Sequence, residues 1–304
     1  MITWVNIGLS ASVLFGMAII LTYILGWASK AFHVHVDPRQ EEVLEALPGA
    51  NCGGCGHAGC SSFAAAVVEG EAEVTGCTAG GEACAESLAR IMGIEAQDSF
   101  PTRPIVHCGA TFDNRLQRVE YFGEKRCAAA NLVTGVQGCI YGCLGFGDCQ
   151  NACEFDAIHV IDGLATVDYD KCIGCGACAR VCPRNIITIT SFVADRMLAV
   201  TCSNQDPGPD VKRVCNVGCL GCKSCQRASS LFKIENNLST VNYDAYSIEE
   251  LEKAVIASKR CARHRLAFVG KGDEVDIGNL PVEALTRAVT ADFKTTVDDT
   301  EWRG

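Results

Sequence analysis

Residues 2–29, ITWVNIGLSASVLFGMAIILTYILGWAS, contain no charged side chain. As a helix they would extend about 40 Å, against a bilayer core of roughly 30 Å, so the pattern predicts a membrane span. No cation precedes the run and its apolar part outlasts the core of a cleaved signal, so it is expected to remain as an anchor. Gly8, Ser12 and Gly16 recur every four residues, a small-residue face that would let another membrane helix approach closely. A polar connector over 30–45 then runs into a short helical pattern, EEVLEAL, which Pro48 and Gly49 end. Apolar positions at helical spacing return in SSFAAAVVEGEA and ACAESLARIMGI, with a loop before each, and Pro101 and Pro104 mark 98–107 as a linker.

Beyond residue 150 the period falls to two. AIHVI and LATV, separated by a turn, predict a hairpin, and LFKIE and LSTV predict a second. The hairpins belong to a longer internal repeat, in which 149–172 recurs as 225–246, two residues shorter. The tail is expected to hold one amphipathic helix, PVEALTRAVTADF, and a polar end.

The chain has 304 residues, 48% hydrophobic and 20% charged, enough for two or three small cores. Its formal net charge of −10 argues against a general nucleic-acid binder, which needs a basic face to displace counterions. The 21 cysteines change the picture most. Disulfide frameworks serve small secreted chains, whereas repeated C-x-x-C spacing in a larger chain gathers thiolates for a metal or cluster in a reducing compartment. Lys30 and Arg39 are the first cations after the span, which by the positive-inside tendency puts every cysteine on the cytoplasmic side, with the N-terminus outside.

The first group is Cys52, Cys55, Cys60 and Cys77, opening in the glycine-rich NCGGCGHAGC. Flexible backbone that can turn amides toward sulfur favours a 4Fe-4S cluster, with tetrahedral zinc as the alternative, and His57 reads as an ordinary loop histidine. The second group holds Cys172-x2-Cys175-x2-Cys178-x3-Cys182-Pro183, the pattern of bacterial two-cluster ferredoxins, in which the fourth cysteine of each run ligates the other cluster. Crossing this run with the preceding Cys139-x3-Cys143-x5-Cys149-x3-Cys153 predicts one cluster on Cys139, Cys143, Cys149 and Cys182. The other then falls on Cys153, Cys172, Cys175 and Cys178.

In the repeat, Ser229 and Ser230 replace the fourth cysteine and its proline, and Tyr246 stands where the next run would open. Cys219, Cys222, Cys225 and Cys261 remain for one cluster in a half-degenerate unit, the alternatives being a 3Fe-4S centre or none. Of the rest, Cys108, Cys127, Cys202 and Cys215 either bind a fifth cluster between the units or are small buried thiols, and Cys84 reads as packed in a helix. Four clusters are expected, within a range of three to five. No phosphate-cradling glycine loop or nucleophile elbow competes, so the chain is read as a carrier of electrons. Lys125, Arg126, Lys212 and Arg213 are candidates for docking an acidic carrier.

The order of charge-free helix, NCGGCGHAGC with Cys77, and ferredoxin-type runs closely resembles the B subunit of the Rnf electron-transport complex in its longer form, over residues 1 to about 268. The 51–77 motif alone is also similar to a domain in the large subunit of corrinoid iron–sulfur proteins, which lack the anchor and the ferredoxin array. The resemblance implies a membrane assembly that couples electron transfer between ferredoxin and NAD to sodium or proton movement. The B subunit would receive electrons from soluble ferredoxin and contact other subunits, membrane helices included, while a flavin-bearing partner handles the nicotinamide. Related complexes keep a redox-sensing regulator reduced, so a membrane-anchored redox sensor, or the reducer of one, is the alternative function. The chain departs from the long-form pattern at Ser229, Ser230 and 246–260.

The expected fold is α+β. It has a transmembrane anchor (1–29), a small helical four-cysteine domain (30–97), a linker or insert (98–138), a two-cluster ferredoxin-like domain (139–195), a degenerate ferredoxin-like unit (196–268) and a tail (269–304).

Overall fold

The computed structural model describes residues 4–32, 37–95, 100–246 and 248–271. The amphipathic pattern expected at 281–293 lies outside them. Helix α1 (Trp4–Ala31) runs 28 residues, and no part of its apolar span is buried. Ser12 Oγ donates to Leu9 O and Thr22 Oγ1 to Ala18 O, so these hydroxyls are satisfied within the helix, as an apolar surrounding requires. Among the described residues α1 is the one helix long and apolar enough to cross a membrane.

Three helices build the next unit. Asp37 accepts the Arg39 amide at 2.9 Å and Pro38 fills the first turn, which starts α2 (Pro38–Ala46). Left-handed glycines, Gly70 and Gly93, end α3 (Cys60–Glu69) and α4 (Gly81–Met92). Val43, Phe63, Val67 and Leu88 are buried where the three meet, and this apolar floor carries the 48–59 loop.

The following unit opens with β1 (Thr102–Val106) and continues through two short helices, α5 (Cys127–Asn131) and α6 (Asp148–Asn151). A hairpin of β2 (Ile158–Ile161) and β3 (Leu164–Val167) comes next, then α7 (Ala177–Arg180) and β4 (Ile187–Ser191). Strand β4 returns antiparallel onto β1, from Thr102 opposite Ser191 to Val106 opposite Ile187. The 98–107 stretch, read from its prolines as a linker, is therefore partly a strand of this unit. Pro104 is tolerated because a two-stranded sheet leaves one side of each strand unpaired.

The last unit repeats the plan. Strand β5 (Arg196–Val200) leads into α8 (Gly208–Val214), α9 (Ser224–Ala228) and a hairpin of β6 (Phe232–Glu235) and β7 (Leu238–Val241). Helix α10 (Ile248–Arg260) follows, and β8 (Leu266–Gly270) pairs back onto β5. Both hairpins turn through two residues of positive φ, Asp162 and Gly163 in one, Asn236 and Asn237 in the other. The His107 amide bonds Ile186 O at the same offset past its strand as the Thr201 amide bonds Arg265 O. Ile105, Phe192, Met197 and Ala199 form a shared core in which the outer strands of the two units meet.

Where the first unit opens its second cysteine run, the last unit has helix α10. Ser229 Oγ donates to Glu250 at 3.0 Å, the Ser230 amide donates to the same oxygen, and Lys253 pairs with that carboxylate. Lys253, then Ser230 and Ser229, hold the Glu250 carboxyl down at about 2. Ala254 and Ala257 are buried against Leu231 and Phe232. Side-chain packing and one ion pair thus stand where the first unit has Cys153 and its second cysteine run.

Candidate metal centres

Cys52, Cys55, Cys60 and Cys77 line one cavity with Pro48 and Phe63. Asn51 sets the loop: its backbone lies in the left-handed region and its side-chain oxygen accepts the Cys60 amide at 2.9 Å, pinning the loop to the start of α3. The Cys84 thiol lowers the Cys77 thiol to about 7, helped by the Gly80 and Ala79 amides. Cys84 itself is pushed up, first by that contact and then by burial, and its sulfur lies 3.5 Å from Ala46 O. The Thr78 hydroxyl, also in the cavity wall, is buried without a hydrogen-bond partner among the described residues. A sulfide-bearing cluster would supply the missing acceptor. His57 stacks edge-on against Phe63 and is absent from the lining.

Cys153, Cys172, Cys175 and Cys178 line a second cavity with Pro104, Phe155 and Ile173. Burial pushes Cys172 up to about 11 and Cys178 up to about 12, so these thiols stay neutral until a metal displaces their protons. The two cavities are neighbours: a Cβ on Gly54 would lie 3.0 Å from the Cys175 Cα, and the Cys175 charge is felt at Cys52.

Cys143, Cys149 and Cys182 belong to the core of the first stranded unit, with Cys143 and Cys149 buried. Cys139, grouped with them by spacing, lines a different cavity, together with Cys108, Cys202 and Cys215. Cys127, grouped by spacing with those last three, is absent from that lining and is instead felt at Cys149, alongside Cys143 and Cys178. Asp148 explains its position. The buried carboxylate accepts the Cys127 and Ala128 amides at 2.9 and 3.0 Å, fastening the start of α5 beside Cys149. Loss of these charge-assisted bonds in Asp148→Ala should cost about 2 kcal/mol. Thermal unfolding and iron content of the anaerobic protein would both fall; an unchanged pair of values would show that α5 is held by other contacts.

In the last unit Cys219, Cys225 and Cys261 are half-buried against Leu231, Phe232 and Leu238, and Cys222 is exposed. The Arg265 amide donates to Cys261 Sγ at 3.4 Å, as the Ala157 amide does to Cys153 Sγ. Among the described residues no three cysteine, histidine or carboxylate side chains converge tightly enough to hold a single ion.

Known sequences agree with this chemistry. A family described as "Putative Fe-S cluster" matches residues 47–79, and the 4Fe-4S binding domain family matches residues 165–188. The B subunit of the Na(+)-translocating ferredoxin:NAD(+) oxidoreductase complex of Acetobacterium woodii is 40% identical over 224 residues, 72% of this chain and 67% of its own. The B subunit of the ion-translocating oxidoreductase complex of Methanosarcina acetivorans is 39% identical over 72% of this chain and 83% of its own. The counterpart in the proton-translocating ferredoxin:NAD(+) oxidoreductase complex of Clostridium ljungdahlii is 37% identical over 74% and 81%. An iron–sulfur protein with an apolar N-terminal helix suited to a membrane anchor, the chain belongs to the family of B subunits of ion-translocating oxidoreductase complexes.

Proposed function

We propose that the chain is the iron–sulfur relay of a membrane-bound, ion-translocating ferredoxin:NAD oxidoreductase, taking electrons from reduced ferredoxin and passing them along a series of 4Fe-4S clusters. The observation that carries this reading is the continuity of the thiol-lined sites: Gly54 in the first cysteine loop packs on Cys175, Cys178, Cys149, Cys143 and Cys108 share one buried core, and the Cys219 amide donates to Cys202 Sγ at 3.3 Å. In it, Cys52, Cys55, Cys60 and Cys77 hold one cluster, Cys153, Cys172, Cys175 and Cys178 a second, and Cys219, Cys222, Cys225 and Cys261 another. Cys143, Cys149 and Cys182 supply three ligands to a further one. The clusters bring one-electron chemistry, and the protein shields them, offers amides to sulfur and keeps neighbours close.

The two nested units, each a first strand paired with a last strand around a hairpin, support a tandem ferredoxin-like arrangement, complete in the first unit and half-degenerate in the second. Lys30 and Arg39 after the span favour a cytoplasmic cluster domain. Exposed Lys125, Arg126, Lys212 and Arg213 give an acidic ferredoxin basic side chains to meet, although Arg126 and Arg213 each lie near a local carboxylate.

Mixing the anaerobic full-length chain in detergent with reduced ferredoxin should bring up the chain's reduced-cluster EPR signals as those of ferredoxin, which gives up the electrons, fade. A chain that stays oxidised overturns the proposed donor. The anchor has its own test: removing residues 1–32 should move the chain expressed alone from the membrane to the soluble fraction with its iron retained. Persistence in the membrane would assign the attachment elsewhere.

A further inference from the structure

We propose that Cys108, Cys139, Cys202 and Cys215 hold a 4Fe-4S cluster at the junction of the two units, and that Cys127 replaces Cys139 beside Cys143, Cys149 and Cys182. The inference rests on the iron–sulfur reading above and adds a site with a ligand set that cysteine spacing does not give.

The internal symmetry selects the four thiols. Cys108 lies two residues past β1 and Cys202 two residues past β5. Cys139 precedes Cys143 by the same interval that separates Cys215 from Cys219. The junction cavity is therefore lined by two equivalent pairs, one pair from each unit. Glycines stand beside the sulfurs in its wall: a Cβ on Gly142 would be in van der Waals contact with Cys139 Sγ at 3.4 Å and Cys108 Sγ at 3.7 Å, and one on Gly218 would run into Val211 and touch Cys215 Sγ at 3.6 Å.

Donors are already aimed at the sulfurs. Asn204 Nδ2 donates to Cys139 Sγ and the Cys219 amide to Cys202 Sγ, each at 3.3 Å. Arg115, 6% exposed, lines the same cavity. Its Nε and Nη2 donate to Ala110 O, and Nη2 also to Gly163 O, while Nη1 has no hydrogen-bond partner among the described residues. A buried cation with an unsatisfied N–H is expensive alone and well matched to an anionic cluster.

The symmetry also explains the exchange. Cys143, Cys149 and Cys182 correspond to Cys219, Cys225 and Cys261, but Phe146 stands where the last unit has Cys222. A fourth ligand must come from outside the repeat, and Asp148 fastens Cys127 next to Cys149. Five ligand sets then use every cysteine except Cys84. The junction cluster would accept one electron as its neighbour in the first unit is oxidised and pass it to the cluster of the last unit, with no atom transferred.

The test is iron, sulfide and zinc per chain on anaerobic full-length protein, with EPR after reduction. By the four-iron rule the parent should hold about 20 irons and Cys202→Ala about 16. Cys139→Ala should remove the same EPR component as Cys202→Ala, and Cys127→Ala a different one. Asn204→Leu, which leaves every sulfur in place but removes the donor to Cys139 Sγ, should keep the iron and shift that component; it decides the matter if a cysteine variant loses all its iron through misfolding. A parent with about 16 irons that Cys202→Ala does not lower overturns the junction cluster only. Zinc without iron overturns the iron–sulfur reading beneath it. Loss of one shared component in Cys127→Ala and Cys202→Ala, with Cys139→Ala affecting another, would restore the grouping by spacing.

Discussion

Replacing Cys175 with alanine is expected to reduce ferredoxin-driven NAD reduction by the assembled complex to background, with the chain still in the membrane. Cys175 lies at the meeting point of two cavities: it lines one with Cys153, Cys172 and Cys178, and its backbone packs against Gly54 in the loop of the other. Without this thiolate the cluster has three protein ligands, and its loss would open the series between the anchor-proximal site and everything after it. The structural cost is small by comparison, because the cysteine is replaced by a residue that fits the same space. Iron should fall by about four atoms per chain, by the stoichiometry of a cubane. Unimpaired ferredoxin-dependent turnover at the lower iron content would remove this site from the route.

The second large effect is expected at Gly145, where alanine should destabilise the first unit by about 3 kcal/mol. Gly145 has φ +79°, and an added Cβ would run into the backbone carbonyl of Gly163 at the hairpin turn. The last unit makes the same contact between Gly221 and Asn237 O, so the close approach belongs to the design of both units. Either backbone strain or displacement of the hairpin follows, and both loosen the loop that carries Cys143 and Cys149. Gly135 is the control: it shares the positive φ, but its Cβ would meet nothing within 4 Å. Gly145→Ala should lower the unfolding temperature and the iron content together, while Gly135→Ala retains its iron. Equal behaviour of the two variants would reduce the effect to backbone strain.

Both hairpins, the four helices before residue 95 and the doubling of the plan were legible because they rest on local signals: alternation, helical period, a two-residue turn and an obvious repeat. The outer strands were not. Strands β1 and β4 pair across more than 80 residues, and β1 carries Pro104, so its local chemistry reads as a linker until the partner strand is in place. The grouping of Cys52, Cys55, Cys60 and Cys77 around one cavity follows from a single loop and two helices, and spacing suffices for it. Cys127 and Cys139 depend on tertiary features instead. The Asp148 carboxylate brings one to Cys149, and the joining of the two units brings the other to Cys202 and Cys215. The one clue in the sequence was the equal offset of Cys139 and Cys215 from the cysteines that follow them.

Cys222 is the exposed cysteine of the 21. Thiol oxidation follows exposure, so peroxide would reach the last centre of the series before the buried ones. In the proposed relay, oxidative damage would then begin at the C-terminal centre and shorten the conducting path from that side, before it reached the centres that come earlier in the sequence.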